Sequence, residues 1–221
     1  MTTQIQYDLL LKGGHLLDPD QWINGRSDIA FKDGRVAEVA ENLDSASARE
    51  VVDVSGKLVT PGLIDLHVHV FWGASQYGIN PDPVHIACGV TTVLDAGSSG
   101  ARTFPAFRRY VIERSKTRVF ALLNISSMGM VTGYGGLEDP RWANVDEAVA
   151  VGHKNRDAIL GIKARIPPQD EMSYVEIVRR GLKAAEMLGG FFMLHTGGPS
   201  VPFERLVDML RPGDVATHSF R

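Results

Sequence analysis

The residues with the clearest chemical potential are two histidines, His67 and His69, in the apolar stretch 63–70. Side chains alternate between the two faces of a β-strand, so both imidazoles should lie on one face together with Asp65. Two imidazoles so arranged can hold one divalent metal ion, each through a neutral ring nitrogen. The alternative is a pair of core histidines with ordinary hydrogen bonds. The opposite face is apolar and should pack against helices, through Ile64, Leu66, Val68 and Val70.

A lysine, Lys163, lies in the otherwise apolar segment 158–165, and alternation places it on the same face as Arg165. Burial of an ammonium ion is costly, so such a lysine either pairs with an acid or loses its proton. Asp65 and Asp95 are the candidate acids for a purely structural lysine. A neutral lysine amine can instead take up CO₂ as a carbamate, whose two oxygens could bridge two metal ions.

Two further histidines, His195 and His218, each end an apolar segment that predicts a β-strand. A single histidine at such a position is more often a core residue with satisfied hydrogen bonds than a metal ligand. The four histidines and Lys163, however, all fall at or near the carboxyl ends of predicted strands. We therefore expect these five residues on one face of the fold. We assign the remaining histidines to the surface, namely His15, His85 and His153.

The elements that must position these residues fall into two regions. Residues 1–60 predict a small β unit, with short strands over 7–12, 28–31, 36–39, 51–54 and 57–59. Turns are predicted at Gly13-Gly14 and, around an Asp-Gly pair, at 32–35. After residue 60, predicted strands occur at 63–70, 90–95, 118–125, 158–165, 191–195 and 214–218. Helices are predicted between them at 82–88, 103–115, 145–155, 173–188 and 202–210, with Ser173 as an N-cap and Gly189-Gly190 as a helix end.

Strands that alternate with helices predict βαβ units and a parallel sheet, so the fold class is α/β. Six such units predict a TIM-like (β/α)₈ barrel, whose functional residues lie at the carboxyl ends of the strands. A complete barrel takes about 250 residues, and we find six of its eight units in residues 61–221. We therefore expect an N-terminal β-sandwich portion over 1–60, an incomplete barrel carrying the metal site over 61–221, and a sequence truncated at its C-terminus.

Composition excludes several classes of protein. The chain has 221 residues, 44% of them apolar, and a formal net charge of −3 without a basic cluster. We therefore expect a small-molecule substrate and neither a nucleic-acid nor a membrane partner, and we leave open whether the protein forms a homo-oligomer. Cys88 is the only cysteine, and no apolar run is long enough for a signal peptide or a membrane span, so we expect a cytoplasmic protein.

The run 59–69, VTPGLIDLHVH, resembles the metal motif that opens the barrel of dihydroorotases, dihydropyrimidinases and related deacetylases in the amidohydrolase superfamily. The resemblance extends from about Tyr7 onward and is greatest to the dihydroorotase-like deacetylase branch, with supporting stretches at 89–97, 124–127, 161–165 and 211–215. It implies two Zn²⁺ or other divalent ions bridged by carboxylated Lys163. The implied ligands are His67 and His69 for one ion, and His195 and His218 for the other.

The activity that the resemblance implies is hydrolysis of an amide or ester bond in a small acylated carboxylic acid, by a metal-bridging hydroxide. This is the reaction of an N-acyl amino acid deacetylase or a related esterase. Arg165 could bind the substrate carboxylate, or it could pair with an acid at the barrel rim. Backbone N–H groups around Ser98 and Ser99 could bind an anionic substrate group. The family's general acid/base aspartate is expected beyond Arg221, so we expect residues 1–221 alone to be inactive.

Two alternatives remain open. The first is a dihydroorotase or another cyclic amidohydrolase, but those enzymes generally carry an arginine two residues after the second histidine, where this sequence has Phe71. The second is a non-catalytic scaffold of the dihydropyrimidinase-like type. Such proteins typically lose metal ligands, whereas every ligand expected in this span of sequence is present.

Overall fold

The computed structural model describes residues 5–196 and 201–219 and divides into two compact units. The first unit ends at Leu63 and the second begins at Ile64. This division falls three residues after the predicted one between residues 60 and 61.

The first unit is built on one five-stranded sheet. Its strands are β1 (Tyr7–Asp18), β2 (Ile23–Lys32), β3 (Arg35–Ala40), β4 (Ala48–Asp53) and β5 (Leu58–Val59). The order is β3-β2-β1-β4, with β5 also paired to β1. Neighbouring strands are antiparallel between β1 and β2 and between β2 and β3, and parallel between β1 and β4. The predicted β unit is therefore present, with β1 to β4 longer than predicted and β5 one residue shorter.

The two turns predicted in this unit have different outcomes. Gly13-Gly14 is not a turn: it lies inside β1 as a bulge, where the register with β2 shifts between Leu11 and Gly14. Gly13 has φ 76°, so the strand bends there without ending. The turn at Asp33-Gly34 is confirmed, since both residues have the positive φ (52° and 71°) that a tight hairpin requires.

The second unit contains a six-stranded sheet whose strands follow chain order. They are β6 (Leu63–Val68), β7 (Val90–Gly100), β8 (Arg118–Asn124), β9 (Ile159–Ala164), β10 (Phe191–His195) and β11 (Val215–Thr217). Pairing from β7 through β11 is parallel throughout. All six predicted strands are confirmed. The unit is α/β with a curled parallel sheet, which corresponds to part of a (β/α)₈ barrel, as predicted.

In the part of the chain that the structure describes, five α-helices accompany this sheet: α1 (Pro81–His85), α2 (Phe104–Phe107), α3 (Val145–Lys154), α4 (Glu171–Leu188) and α5 (Phe203–Met209). The first continues as a 3₁₀ turn over 86–88 and the second as a π-helical turn over 108–112, so both predicted helices are present but irregular. Within the described residues, no helix is both long enough and apolar enough to cross a bilayer.

The ends of α4 show how local polar groups set a helix boundary. The prediction that Ser173 is the N-cap is wrong. The helix begins earlier, at Glu171, and the Asp170 carboxylate accepts the Ser173 N–H at 2.9 Å. Asp170 directly precedes the helix and accepts this N–H of the first turn, so Asp170 is the N-cap. The predicted end is confirmed, because Gly189 adopts the left-handed conformation (φ 67°) that closes a helix.

The main core lies between the helices and the outer face of the sheet, and it includes Leu123, Ile162, Val178, Leu188 and Phe192. A smaller apolar cluster lies on the other face, formed by Leu94, Ala96, Leu122 and Met193.

The outer face of β6 joins the main core only in part. Val68 and the following Val70 are buried in that core. Ile64 and Leu66, which were also expected to pack against helices, are 61% and 64% exposed. Their end of β6 lies at the edge of the six-stranded sheet, where β7 is the strand's only partner among the described residues.

A strand glycine provides a test of this packing. Gly161 lies in β9, between β8 and β10, and an added Cβ would lie 2.1 Å from the Phe191 carbonyl oxygen. The backbone of Phe191 is held in the sheet and cannot move away from an added methyl group. Gly161→Ala should therefore lower the free energy of unfolding by about 3 kcal/mol. Urea denaturation of the full-length protein measures this change.

The matched control is Gly25→Ala in β2, where an added Cβ meets nothing within 4 Å. This substitution should be neutral or stabilising by less than about 1 kcal/mol. Equal destabilisation by the two substitutions would contradict the close approach of β9 and β10.

Candidate metal centre

The carboxyl ends of the parallel strands bring the four predicted histidines together. His67 lies in β6, His69 follows that strand, His195 ends β10 and His218 follows β11. The distances between ring centroids are 5.6 Å for His67 and His69, 5.1 Å for His67 and His218, and 4.7 Å for His195 and His218. The four imidazoles therefore form one continuous cluster, as predicted from their position at or near the carboxyl ends of the strands.

Three of these rings are held in the form that binds metals. Burial lowers the pKa of His67 to about 4 and the pKa values of His69 and His195 to about 3, with smaller effects from neighbouring positive groups. All three are therefore neutral at physiological pH and have a free ring nitrogen lone pair. His218 differs: it is exposed and takes a positive φ of 60° directly after β11.

Lys163 lies in β9 with its side chain enclosed by the sheet. The residue is 1% exposed, and its Nζ has no hydrogen-bond partner among the described residues. Burial, assisted by the positive charge of Arg165, lowers the pKa of the Lys163 amine to about 7. A substantial fraction of the amine is therefore neutral at physiological pH, which carbamate formation requires.

The alternative of a lysine paired with an acid is not what the structure shows. The Asp95 carboxylate accepts backbone N–H groups from Val70 at 2.8 Å and Ser98 at 2.7 Å, and burial raises its pKa to about 6. Asp65 accepts the His67 N–H at 3.0 Å. Neither acid forms an ion pair with Lys163 in the described part of the chain.

The number of metal ions that these histidines and Lys163 could hold follows from the kind and number of donors. Within residues 5–196 and 201–219, no group of three or more His, Cys, Asp or Glu side chains is arranged to hold a metal ion. A site with two histidines per ion needs no such group, because a carbamate on Lys163 would supply a shared oxygen ligand. The orphaned amine beside paired imidazoles therefore fits two bridged ions better than one ion held by three histidines.

In the segment around Ser98 and Ser99, which was expected to bind a substrate anion, backbone N–H groups donate to other groups of the chain. β7 continues to Gly100, five residues beyond its predicted end, and buries Ser98 and Ser99 completely. The Ser98 N–H donates to Asp95, and the Gly100 N–H donates to Thr103 Oγ1 at 3.0 Å. The prediction is therefore wrong for these two N–H groups, because the chain itself uses them.

The side chains of the two serines differ from each other. The Ser98 Oγ lies 3.0 Å from Nδ1 of His69, so this hydroxyl contacts a predicted metal ligand. The Ser99 Oγ is buried with no hydrogen-bond partner among the described residues. The predicted role of both in substrate binding remains a prediction.

Arg165 lies between two tyrosine rings. Its guanidinium carbon is 5.1 Å from the ring centroid of Tyr77 and 4.7 Å from that of Tyr134, and its Nη2 donates to the Tyr77 hydroxyl at 3.4 Å. No carboxylate in the described part of the chain forms an ion pair with it. The expected alternative, a salt bridge at the rim, is therefore not observed.

Sequence reasoning missed both tyrosines. Tyr77 lies in the loop after β6, with its ring centroid 6.2 Å from that of His69, and Tyr134 lies in the loop after β8. Their place in loops that follow barrel strands is the one feature of the sequence that pointed to this site.

The histidines assigned to the surface are placed only partly as expected. His15 and His153 are exposed, although His15 lies in β1 and not in a loop. His85 is only 6% exposed, with its Nδ1 3.2 Å from the Pro81 carbonyl oxygen and its Nε2 3.9 Å from Asp65. The assignment of His85 to the surface was wrong, because His85 is the last residue of the short helix α1 and its side chain faces inward.

No family model matches the chain. A curated deacetylase from Brucella anthropi is 36% identical over 192 residues, which cover 86% of this chain and 48% of the relative. The chain spans about half the length of the curated deacetylases that it matches.

Solved structures share the fold across proteins named for different reactions. The crystal structure of a dihydroorotase aligns with a TM-score of 0.78 and 30% identity, covering 96% of this chain and 57% of that protein. The crystal structure of an adenine deaminase aligns with the same TM-score and 29% identity, covering 96% of this chain and 56% of that protein. The reaction must therefore be argued from the residues of the site.

The burial of Lys163 predicts a pH dependence of stability. Its pKa is about 7 in the folded state and 10.5 as a model value, so between these values the unfolded chain holds the extra proton. The free energy of unfolding of the metal-free full-length protein should therefore rise with pH across this window. The rise from this one group should reach at most about 1.4 kcal/mol per pH unit.

Lys163→Met keeps the apolar stem and removes the titrating group, so the rise should become shallower by that amount. The exposed Lys183 of α4 provides the control, since Lys183→Met should leave the slope of the wild type unchanged. Urea denaturation at a series of pH values measures all three proteins. An identical slope for Lys163→Met and the wild type would contradict the burial of a neutral amine.

Proposed function

Because this chain belongs to the amidohydrolase superfamily, we propose that it is part of a metal-dependent hydrolase that cleaves an amide or ester bond of a small acylated carboxylic acid. The observation that carries the proposal is the partnerless amine of Lys163 at the same sheet edge as four clustered imidazoles. Curated relatives named deacetylase support this class of reaction.

In this proposal, His67 and His69 would hold one Zn²⁺ ion, His195 and His218 would hold a second, and carboxylated Lys163 would be a ligand shared by both. Other divalent ions would suit the same donors less specifically, since neutral imidazole is a preferred zinc ligand. When bound, the ions would lower the pKa of water and polarise the scissile carbonyl.

Arg165 supports the assignment of a substrate that carries a carboxylate. Its guanidinium has no acidic partner among the described residues, and the rings of Tyr77 and Tyr134 hold it in place. Tyr77 also contacts His69, so the guanidinium of Arg165 lies close to one of the proposed metal ligands. A carboxylate can accept two parallel hydrogen bonds from a guanidinium, which would orient the acyl group of the substrate toward the histidines.

The dihydroorotase alternative depends on the position two residues after His69. Phe71 occupies that position, is only 5% exposed, and packs against Phe107 with ring centroids 5.0 Å apart. Its side chain belongs to the apolar core and offers nothing that could bind a carboxylate. The deacetylase or esterase reaction is therefore the better supported, although a dihydroorotase shares the fold.

The non-catalytic scaffold alternative is the less supported one. In a non-catalytic scaffold, a buried lysine without a partner and a cluster of buried neutral histidines would both destabilise the fold, because no ligand would compensate for the loss of solvation.

The proposed metal stoichiometry can be measured directly. The full-length protein should contain about two zinc equivalents per chain, because two bridged ions share the donor set. His195→Ala should lower the content to about one equivalent, since one ion loses a histidine while the pair from β6 stays intact. Elemental analysis after gel filtration gives both values. A single equivalent that His195→Ala leaves unaffected would rule out the proposed arrangement.

The role of Arg165 predicts a charge-selective loss of activity. Arg165→Met should lower kcat/KM about 10- to 150-fold for N-acyl amino acids or acylated hydroxy acids, because a charge-assisted hydrogen bond is lost. The methyl esters of the same acids lack the negative charge and should be affected much less. Steady-state kinetics on both substrate series, with derivatives of L- and D-amino acids, measures the difference in kcat/KM.

The control is Arg109→Met, since this arginine also stacks on a tyrosine, Tyr110, but is exposed on a helical turn away from the site. It should leave both series unchanged. An equal loss on charged and uncharged substrates would contradict the role of Arg165. Turnover of dihydroorotate, without turnover of any acylated acid, would favour the cyclic amidohydrolase.

A further inference from the structure

The carboxylate of Asp95 organises a tight turn at the carboxyl end of β7. It is completely buried, and it accepts the N–H of Val70 at 2.8 Å and the N–H of Ser98 at 2.7 Å. Val70 directly follows His69, so a single carboxylate fixes the backbone on both sides of the contact between β6 and β7. These two hydrogen bonds place the Ser98 hydroxyl opposite the His69 ring.

The Ser98 hydroxyl connects this carboxylate to the imidazole. Its Oγ lies 3.0 Å from Nδ1 of His69, and the same side chain favours the charged form of the Asp95 carboxylate by lowering the pKa of that group. A carboxylate can only accept, so the hydroxyl proton is directed to Asp95. The Ser98 oxygen is then left to accept the proton of His69 Nδ1. The direction of each hydrogen bond in the chain Asp95–Ser98–His69 follows from this order.

The same turn also contacts Lys163. Gly97 has φ 87°, and a Cβ added to it would lie 2.5 Å from both Cβ and Cγ of Lys163. Asn124 Nδ2 donates to the Gly97 carbonyl at 2.9 Å and holds the turn in this position. The turn therefore lies against two of the five predicted ligands, although none of its residues belongs to the ligand set.

We propose that Ser98, held by Asp95, is a positioning residue that fixes the tautomer and the orientation of His69. With Nδ1 protonated and hydrogen-bonded to Ser98, the lone pair of Nε2 is free to bind an ion. Metal-binding histidines commonly donate their second ring N–H in this way, and loss of the acceptor typically lowers affinity about 10- to 100-fold. The metal-affinity part of this inference rests on the proposed function, whereas the tautomer does not.

The test starts from the metal-free full-length protein with ¹⁵N-labelled histidine. Long-range ¹H–¹⁵N spectra report which ring nitrogen carries the proton, and the His69 signals are assigned by their loss in His69→Gln. In the wild type, Nδ1 of His69 should be protonated. Ser98→Ala should shift the ring toward the Nε2–H form, which imidazole side chains favour in water. Ser98→Thr keeps the hydroxyl and should retain the wild-type tautomer.

The matched control is Ser99→Ala, which removes an equally buried hydroxyl that has no hydrogen-bond partner among the described residues. It should leave the His69 signals unchanged. Zinc titration with a competing chelator then compares the variants, and Ser98→Ala should bind zinc about 10- to 100-fold more weakly than Ser99→Ala.

An unprotonated Nδ1 in the wild type would overturn the inference, and this measurement does not depend on whether any variant folds. A His69 tautomer unchanged by Ser98→Ala would also overturn it. If the tautomer responds as expected but the wild type binds no zinc, the positioning of His69 stands and the proposed function fails. The two ideas can therefore be separated.

Discussion

Lys163 brings a titratable amine into the interior of a parallel sheet, where no described residue offers it a hydrogen bond. The cost of desolvating its charge lowers its pKa to about 7, and the neighbouring histidines are neutral for the same reason. A protein interior tolerates such a group only if it is neutral or compensated. The remaining features of the site follow from this requirement.

One consequence concerns the balance of charge around the cluster. Arg165 lies two residues from Lys163, and the buried acid Asp95 accepts the backbone N–H groups of Val70 and Ser98. The described residues thus present imidazole lone pairs, a reactive amine and an uncompensated guanidinium at one sheet edge. Imidazole lone pairs can bind metal cations, a neutral amine can take up CO₂, and a guanidinium can bind an anionic substrate. All three therefore support the proposed metal-dependent reaction on a carboxylate-bearing molecule.

A second consequence concerns what the fold shares with its relatives and what it does not. Proteins named dihydroorotase and adenine deaminase match the strands and helices over nearly the whole chain. The groups that would distinguish substrates lie instead in loops after the strands, as Tyr77 and Tyr134 do here. Strands hold the ligand set in a fixed frame, while loops of variable sequence can change the substrate without disturbing that frame.

The sequence by itself determined the strands, the helices and the histidine cluster. Alternation along 63–70 and 158–165 and the position of His195 and His218 at strand ends are local patterns, and parallel strands must bring such ends to one edge. It did not predict the contact between His69 Nδ1 and the Ser98 hydroxyl, the placement of Arg165 between two tyrosines or the burial of His85. These features join residues 20 or more positions apart or depend on the direction in which a short helix turns. Local periodicity fixes which face a side chain occupies, but only the tertiary structure decides which distant group it meets there.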